Sequence, residues 1–398
     1  MSVDKRLIVS LGVSFVLVSI NNTIFWTIFR VFIYSIGGSF TEVALVSALQ
    51  NLFSILLSPF WGALSDELRR RKPFIVFGSA SIALFTPLFT IAKDVFEYLI
   101  IFTAASFFSS MIYPAINAYL SEVVESEYRG ISLGYFLGFN AIGWTLGGFL
   151  SGYIAEYLGM GNVFIFAGII GIAGAILAQI FIREVSYETR GERNIVRKAW
   201  SRVISMLHIR RSPDLNTLLA VIMLYGIGSG IFFTIFQIKF FESVGRSFLL
   251  YGLVSGLSGL GSIVAPPLYG YLADKIGKKT VFQATLICYT AYFIILGLVW
   301  NPAILAILWL LPLWPGVRIS SIAIAADISE EESMGEYQGF VSSSSAISRT
   351  IGALLGGIIA DLFNARTSLY IMDYILIGSS IGPLSAALAI NKLKIEKR

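Results

Sequence analysis

Two arginines stand where a charge is hardest to keep. Arg318 lies nine residues before Asp327 inside one apolar run, and Arg349 lies ten residues after Gly339 inside the next. At 1.5 Å per helical residue they are roughly 14 and 15 Å from the nearer helix end, close to the middle of a hydrocarbon core about 30 Å thick. An ionisable group at that depth is costly and marks a pathway for substrate or ions. A guanidinium grips carboxylate or phosphate in a two-pronged fork, and it also donates to neutral hydroxyls such as those of a sugar. No Asp or Glu falls in the middle of an apolar run; Glu97, Glu156, Asp361 and Asp373 lie near run ends. Deep arginines without a deep carboxylate favour an anionic solute over a cationic one, and they leave out the buried acids of a typical proton relay. The competing explanation is a pair of structural arginines bonded to carbonyls or asparagines.

Further polar candidates share the apolar runs. Asn22, Trp26 and Arg30 fall on one face of the first, with Arg30 near enough to its end to snorkel. Asn117 and Tyr113, then Tyr225 and Gln237, are similar intramembrane polar groups, and Asn140 occupies the position that corresponds to Arg349 in a repeat described below. Phe25 and Phe232, in so Phe-rich a chain, read as packing or lipid-facing residues. The chain has one cysteine, Cys288, and one histidine, His208. That leaves no disulfide framework and no Cys/His metal set, and it removes most routes to nucleophilic catalysis. No enzyme activity and no cofactor are expected.

The elements that must position these residues follow from composition. Hydrophobic residues make up 56% and charged residues 13% of the 398, about half the charge of a soluble domain. Run after run exceeds the roughly 20 residues needed to cross a bilayer as a helix. Twelve spans are expected, near 7–32, 42–62, 73–92, 96–121, 130–155, 162–182, 214–238, 249–272, 280–300, 303–326, 339–362 and 368–390. Pro312 and Pro315 should break the tenth, one turn from Arg318. The fold class is therefore all-α integral membrane, with a bundle of six helices in 1–182, a polar linker in 183–213 and a second bundle of six in 214–398. Of the 29 Lys and Arg, Arg30, Arg318 and Arg349 lie within spans and Lys93, Lys239, Arg246 and Arg366 fall on one side. The remaining 22 fall on the other, which places both termini in the cytoplasm of a multi-pass protein of the cell membrane. The net charge of +5 is thus explained by the membrane and not by nucleic acid. In the linker, Ile195, Val196, Ala199, Trp200, Val203, Ile204 and Leu207 recur at helical spacing among basic residues. They fit an amphipathic helix on the inner leaflet or, more plainly, a solvated basic tether.

The halves repeat. Gly62-Ala-Leu64-Ser-Asp66-Glu-Leu-Arg69-Arg70-Arg71 is echoed by Gly270-Tyr-Leu272-Ala-Asp274-Lys-Ile-Gly277-Lys278-Lys279. Phe25 to Phe29 echoes Phe232 to Phe236, Tyr128-Arg129-Gly130 echoes Tyr337-Gln338-Gly339, and Gly143, Gly147 and Gly148 echo Gly352, Gly356 and Gly357. All recur in order at offsets of 207 to 209, which is the signature of a two-fold repeat carrier.

On these motifs the chain resembles the major facilitator superfamily, whose pattern after span 2 is Gly-x-Leu-x-Asp followed by a basic, glycine-containing cluster. Gly62, Leu64, Asp66, Arg70 and Arg71 match, with Arg69 where a glycine is usual, and the second copy through Gly270, Asp274, Lys278 and Lys279 is complete. The glycine line of span 5 resembles that of the family's exporters, but Trp144 takes the proline position and Phe139 a glycine position. The resemblance implies twelve helices working by alternating access on a small solute, spans 1, 4, 7 and 10 lining the cavity, and the repeated hairpin latching the cytoplasmic face. Arg69 to Lys72 would then meet Asp327, Glu330, Glu331, Glu332 and Glu336, and Lys275 to Lys279 would meet Glu122, Glu125 and Glu127. A polar solute, preferably an organic anion, is the first expectation. Export of hydrophobic drugs is the second, and a sensor or enzyme that kept the carrier fold is a remote third. The partners expected are lipid and a small-molecule substrate; a coupling ion stays open, and a monomer suffices.

Overall fold

A computed structural model describes residues 5–123, 129–184, 212–330 and 333–393. Eleven helical spans among the described residues are long and apolar enough to cross a membrane. They are Gly12–Ser35, Phe40–Leu68, Lys72–Thr90, Val95–Val123, Met160–Phe181, Pro213–Ser243, Phe248–Ile276, Lys278–Leu298, Pro302–Asp327, Met334–Leu362 and Tyr370–Lys392. Arg129–Leu158, a 30-residue helix, stands in the place of span 5 and completes the expected twelve. The linker, Glu125, Glu127, Glu331 and Glu332 lie outside the described residues.

Local chemistry sets where the helices begin. Asp94 accepts the Glu97 N–H at 2.9 Å, Ser212 that of Leu215 at 3.1 Å, and Asn301 those of Ala303 and Ile304 at 3.0 and 3.2 Å. Each oxygen takes amides that no preceding turn can satisfy. Span 10 is broken as its prolines require, into Pro302–Trp309 and Trp314–Asp327. Three interruptions are additional to those expected. Span 4 parts into Val95–Ser109 and Ile112–Val123, span 8 into Phe248–Ser258 and Gly261–Ile276, and span 12 into Tyr370–Ser379 and Ile381–Ala389. Span 1 contains a π-helical stretch, Ile24–Ile28. The matching segment of span 7 is regular α-helix.

Contacts divide the chain into two compact units. The first comprises Met1–Phe32, Phe53–Ile209 and Ser247–Ile263. Its core is aromatic: Phe25 is 1% exposed and stacks on Phe102, with centroids 4.6 Å apart. Gly143 and Gly147 of span 5 lie against the backbone of span 1, where a Cβ would strike the Val16 and Ile20 carbonyls. The second unit comprises Ile33–Leu52, Arg210–Arg246 and Val264–Arg398. Phe232, fully buried, stacks on Phe293 at 3.8 Å, and Gly352 and Gly356 lie against Ile227 and Ile231 of span 7. The glycine line therefore does the same work in both copies, letting two backbones meet where side chains would hold them apart. Phe25 and Phe232 are core residues and do not face lipid. Large apolar side chains such as Ile169, Leu298 and Leu388 remain more than 60% exposed, as a lipid-facing surface requires.

Two charges differ from the sequence expectation. Lys239, counted above among the loop charges, belongs to the helix Pro213–Ser243 and is fully buried. Its ammonium donates to the Leu296 and Gly297 carbonyls and to Asp373, at 2.9, 2.7 and 2.7 Å. Arg30 does not extend away from the bundle; it is half-buried and within electrostatic range of the Tyr251 hydroxyl. In both cases a partner on another helix outweighs the pull of water.

Candidate functional site

The second unit brings the two deep arginines together. Arg349 occupies the middle of Met334–Leu362, and Arg318 lies one turn into Trp314–Asp327. Both are exposed, and Arg349 is within electrostatic range of Arg318, Tyr225 and Tyr289. The Arg349 Nε donates to the Ser345 carbonyl at 3.2 Å, a single local bond for a group that offers five donors. Tyr225 is 7% exposed and packs on Tyr289, with ring centroids 5.1 Å apart, so it forms a wall behind the arginines. Tyr289 carried no distinguishing mark in the sequence; only its packing on Tyr225 reveals it. Gln237 lies three turns further along the span 7 helix and is half-buried.

The first unit holds an uncharged counterpart. Asn140, at the position equivalent to Arg349, accepts from the Ser19 hydroxyl at 3.1 Å and lies within hydrogen-bonding range of Tyr113. Asn117 and Tyr113 are exposed on the helix Ile112–Val123. Trp26 is half-buried in the π-helical stretch and meets Phe25 and Phe102 edge-on, at 4.7 and 5.1 Å. Asn22 is 7% exposed, and its side-chain oxygen has no hydrogen-bond partner among the described residues. A buried acceptor left unpaired is costly. π-turns within α-helices occur disproportionately at functional sites.

The repeated hairpin is charged and ordered. Arg69 adopts φ +49°, and Gly277, three residues after the second aspartate, adopts +94°. The turn needs a left-handed residue, and the first copy places arginine there against its steric preference. The turn brings Arg71 back over its own half. Arg71 meets Asp66 at 2.5 Å and Glu122 at 2.6 Å, and its backbone N–H donates to Glu184 at 2.8 Å. Burial works against its charge, but the bonds to Glu122 and Asp66 outweigh burial and raise its pKa. Asp66, Arg69, Arg71 and Glu122 line a cavity of about 270 Å³. In the second copy Lys278 meets Asp327 at 2.6 Å and Lys279 donates to the Leu393 carbonyl at 2.7 Å, while Asp274 is exposed. Arg71 and Lys278 thus have partners in their own sequence halves. Arg70 is exposed. A Cβ at Gly62 would meet Pro114 at an ordinary 3.7 Å, and one at Gly270 would meet nothing within 4 Å. Close helix packing is therefore not what either glycine serves here. Among the described residues no group of three His, Cys, Asp or Glu could hold a metal ion.

Comparison with known proteins places this geometry. A family model described as the Major Facilitator Superfamily matches residues 11–241 and again 218–390. The multidrug resistance protein MdtG of Dickeya zeae (strain Ech586) is 24% identical over 327 residues, covering 81% of this chain and 78% of that protein. An uncharacterized MFS-type transporter, MJ1560 of Methanocaldococcus jannaschii, is 22% identical over 340 residues, covering 84% and 86%. Among solved structures, the nucleoside transporter NupG superposes with a TM-score of 0.74 at 12% identity, covering 98% of this chain and all of that one. A bacterial homolog of the human lysosomal transporter Spinster, inward-facing and occupied, gives 0.72 at 12%, covering 98% and 97%.

Proposed function

Since the chain belongs to the major facilitator superfamily and is an integral membrane transporter, not an enzyme, we propose that it carries a small organic anion by alternating access and that Arg318 and Arg349 hold the anion. The observation behind this reading is the pair of exposed arginines within electrostatic range of each other, backed by tyrosines. Two like charges side by side raise each other's energy, and an anion that bridges them relieves the repulsion and satisfies their spare donors. Tyr225 and Gln237 would orient the solute, and Asn22, Trp26, Asn117 and Asn140 are the candidates for its uncharged part. The two repeats, 1–182 and 214–398, would be the bundles that rock, with the hairpins at Gly62 to Arg71 and Gly270 to Lys279 as latches of the face that carries both termini. That face would be cytoplasmic by its excess of Lys and Arg. The membrane would be the cell membrane, and a monomer suffices.

The MdtG relatives favour a second reading, export of hydrophobic drugs. A thermal-shift screen of purified protein separates the two. Benzoate and citrate, maltose, and tetraphenylphosphonium represent anions, sugars and lipophilic cations. A ligand at 100 times its Kd stabilises the folded state by about 2.7 kcal/mol. Stabilisation by an anion that disappears in Arg318→Ala and in Arg349→Ala supports the anion reading. Stabilisation by tetraphenylphosphonium alone, unchanged in both variants, overturns it in favour of drug export.

A further inference from the structure

The turn that follows span 11 carries an acid and a base five residues apart, and each meets a helix end of the opposite sign. Asp361 accepts the backbone N–H groups of Phe40 and Thr41 at 2.9 and 2.8 Å and the Thr41 hydroxyl at 2.6 Å. These are the first amides of the span 2 helix, where the helix dipole is positive. Arg366 donates to the carbonyls of Tyr34, Gly37 and Gly38 at 2.8, 2.8 and 2.7 Å, at and just beyond the end of span 1, where the dipole is negative. Its guanidinium also lies 4.4 Å from the Tyr34 ring centre. One short turn of the second repeat thus grips both arms of the span 1–span 2 hairpin.

The helix start it grips is incomplete without it. Ser39 and Glu42 form a reciprocal cap, Ser39 taking the Glu42 N–H and Glu42 the Ser39 N–H. That leaves the Phe40 and Thr41 amides to Asp361, which comes from more than 300 residues away in the chain. The other repeat has a weaker version: Glu156, near the end of span 5, accepts the Phe248 N–H at 2.8 Å and the Leu249 N–H at 3.4 Å, at the start of span 8. Because successive spans alternate in direction, all these helix ends lie at the end of the bundle opposite the termini.

We infer that the Asp361–Arg366 turn is the latch that closes the carrier opposite its termini, with Glu156 as its weaker counterpart. These contacts are suited to repeated opening. Asp361 is only half-buried and Arg366 is exposed, so water can replace each bond when the turn lets go. The contacts are polar and directional, with no apolar surface that must be unpacked.

The test uses the full chain with Cys288→Ser and spin labels on Lys93→Cys and Ala303→Cys, both exposed at that end. Distances between the labels report the open and closed populations. Asp361→Ala is expected to raise the open-to-closed ratio about 10-fold, since it removes three bonds to a charged acceptor. Arg366→Gln, which keeps the backbone and removes the charge, is expected to shift it the same way. Glu42→Gln, whose bonds stay within its own helix start, should leave the ratio unchanged. Wild-type distances in Asp361→Ala and Arg366→Gln would overturn the inference. An equal shift in Glu42→Gln would also overturn it, because helix capping alone would then explain the effect. Failure of both variants to fold would show a permanent tie and overturn it as well. If only one folds, its distances decide.

Discussion

Lys239→Met removes a charge that the fold has fully enclosed. The ammonium has three N–H groups and all three are used, on Leu296, Gly297 and Asp373. It also lies 4.7 Å from the centre of the Trp300 ring, whose N–H donates to the other Asp373 oxygen at 2.9 Å. Methionine keeps the length of the side chain and nothing of this network. The carbonyls of Leu296 and Gly297, at the end of the span 9 helix, lose their donor, and Asp373 loses its counter-ion. Removing one member of a buried pair costs about 3–5 kcal/mol. The Asp373 side chain keeps 22% of its exposure and can hydrate, so the lower end, about 3 kcal/mol, is expected. With an unfolding entropy of roughly 2.1 cal/mol/K per residue over the whole chain, this lowers Tm by about 4 °C. The assay is thermal unfolding in detergent of wild type, Lys239→Met, Asp373→Asn and the double variant. Because replacing both members of a buried pair is far milder than removing one, the double variant should melt above Lys239→Met. A Tm for Lys239→Met within about 1 °C of wild type, or a double variant less stable than the two single losses combined, would refute the reasoning.

Arg69→Gly is expected to stabilise the protein by about 0.5–1 kcal/mol, because relief of the left-handed conformation exceeds the added chain entropy of glycine; a fall in Tm would show that the arginine side chain contributes more than its backbone costs. Asn22→Leu removes an unpaired buried oxygen and is expected to raise stability by about 1 kcal/mol. If Asn22 touches the solute, transport measured in proteoliposomes falls in the same variant; full transport would remove Asn22 from the pathway.

The spans were legible because membrane insertion is a local property of about 20 consecutive residues, and the repeat was legible because pseudo-symmetric copies keep their spacing. Even the departure at Arg69 carried information: a glycine in one copy and an arginine in the other marked a residue with positive φ. The glycine line paired correctly across the copies, since each glycine faces the same neighbour, span 1 or span 7. The two carboxylates of the far end did not pair this way. Glu156 stands eight residues after Gly148, and Asp361 only four after Gly357, so the offset that aligned the glycines misses the acids. A better signal was the Ser39-Phe40 and Ser247-Phe248 pair, 208 apart, at the two helix starts that those acids cap.

What the sequence alone determined is the number and order of the helices, the breaks that proline imposes, the repeat, and the two deep arginines, since each depends on hydrophobicity or backbone geometry within a few turns. What only the tertiary structure decided is whom each charge meets. Lys239 reads as a loop charge and is enclosed, Arg71 is held by Glu122 and Asp66, and Asp361 and Arg366 take opposite ends of a distant hairpin. A charge close to a helix end can either hydrate or find a partner. That choice depends on side chains hundreds of residues away in the chain, which only the packing of the helices brings within 3 Å.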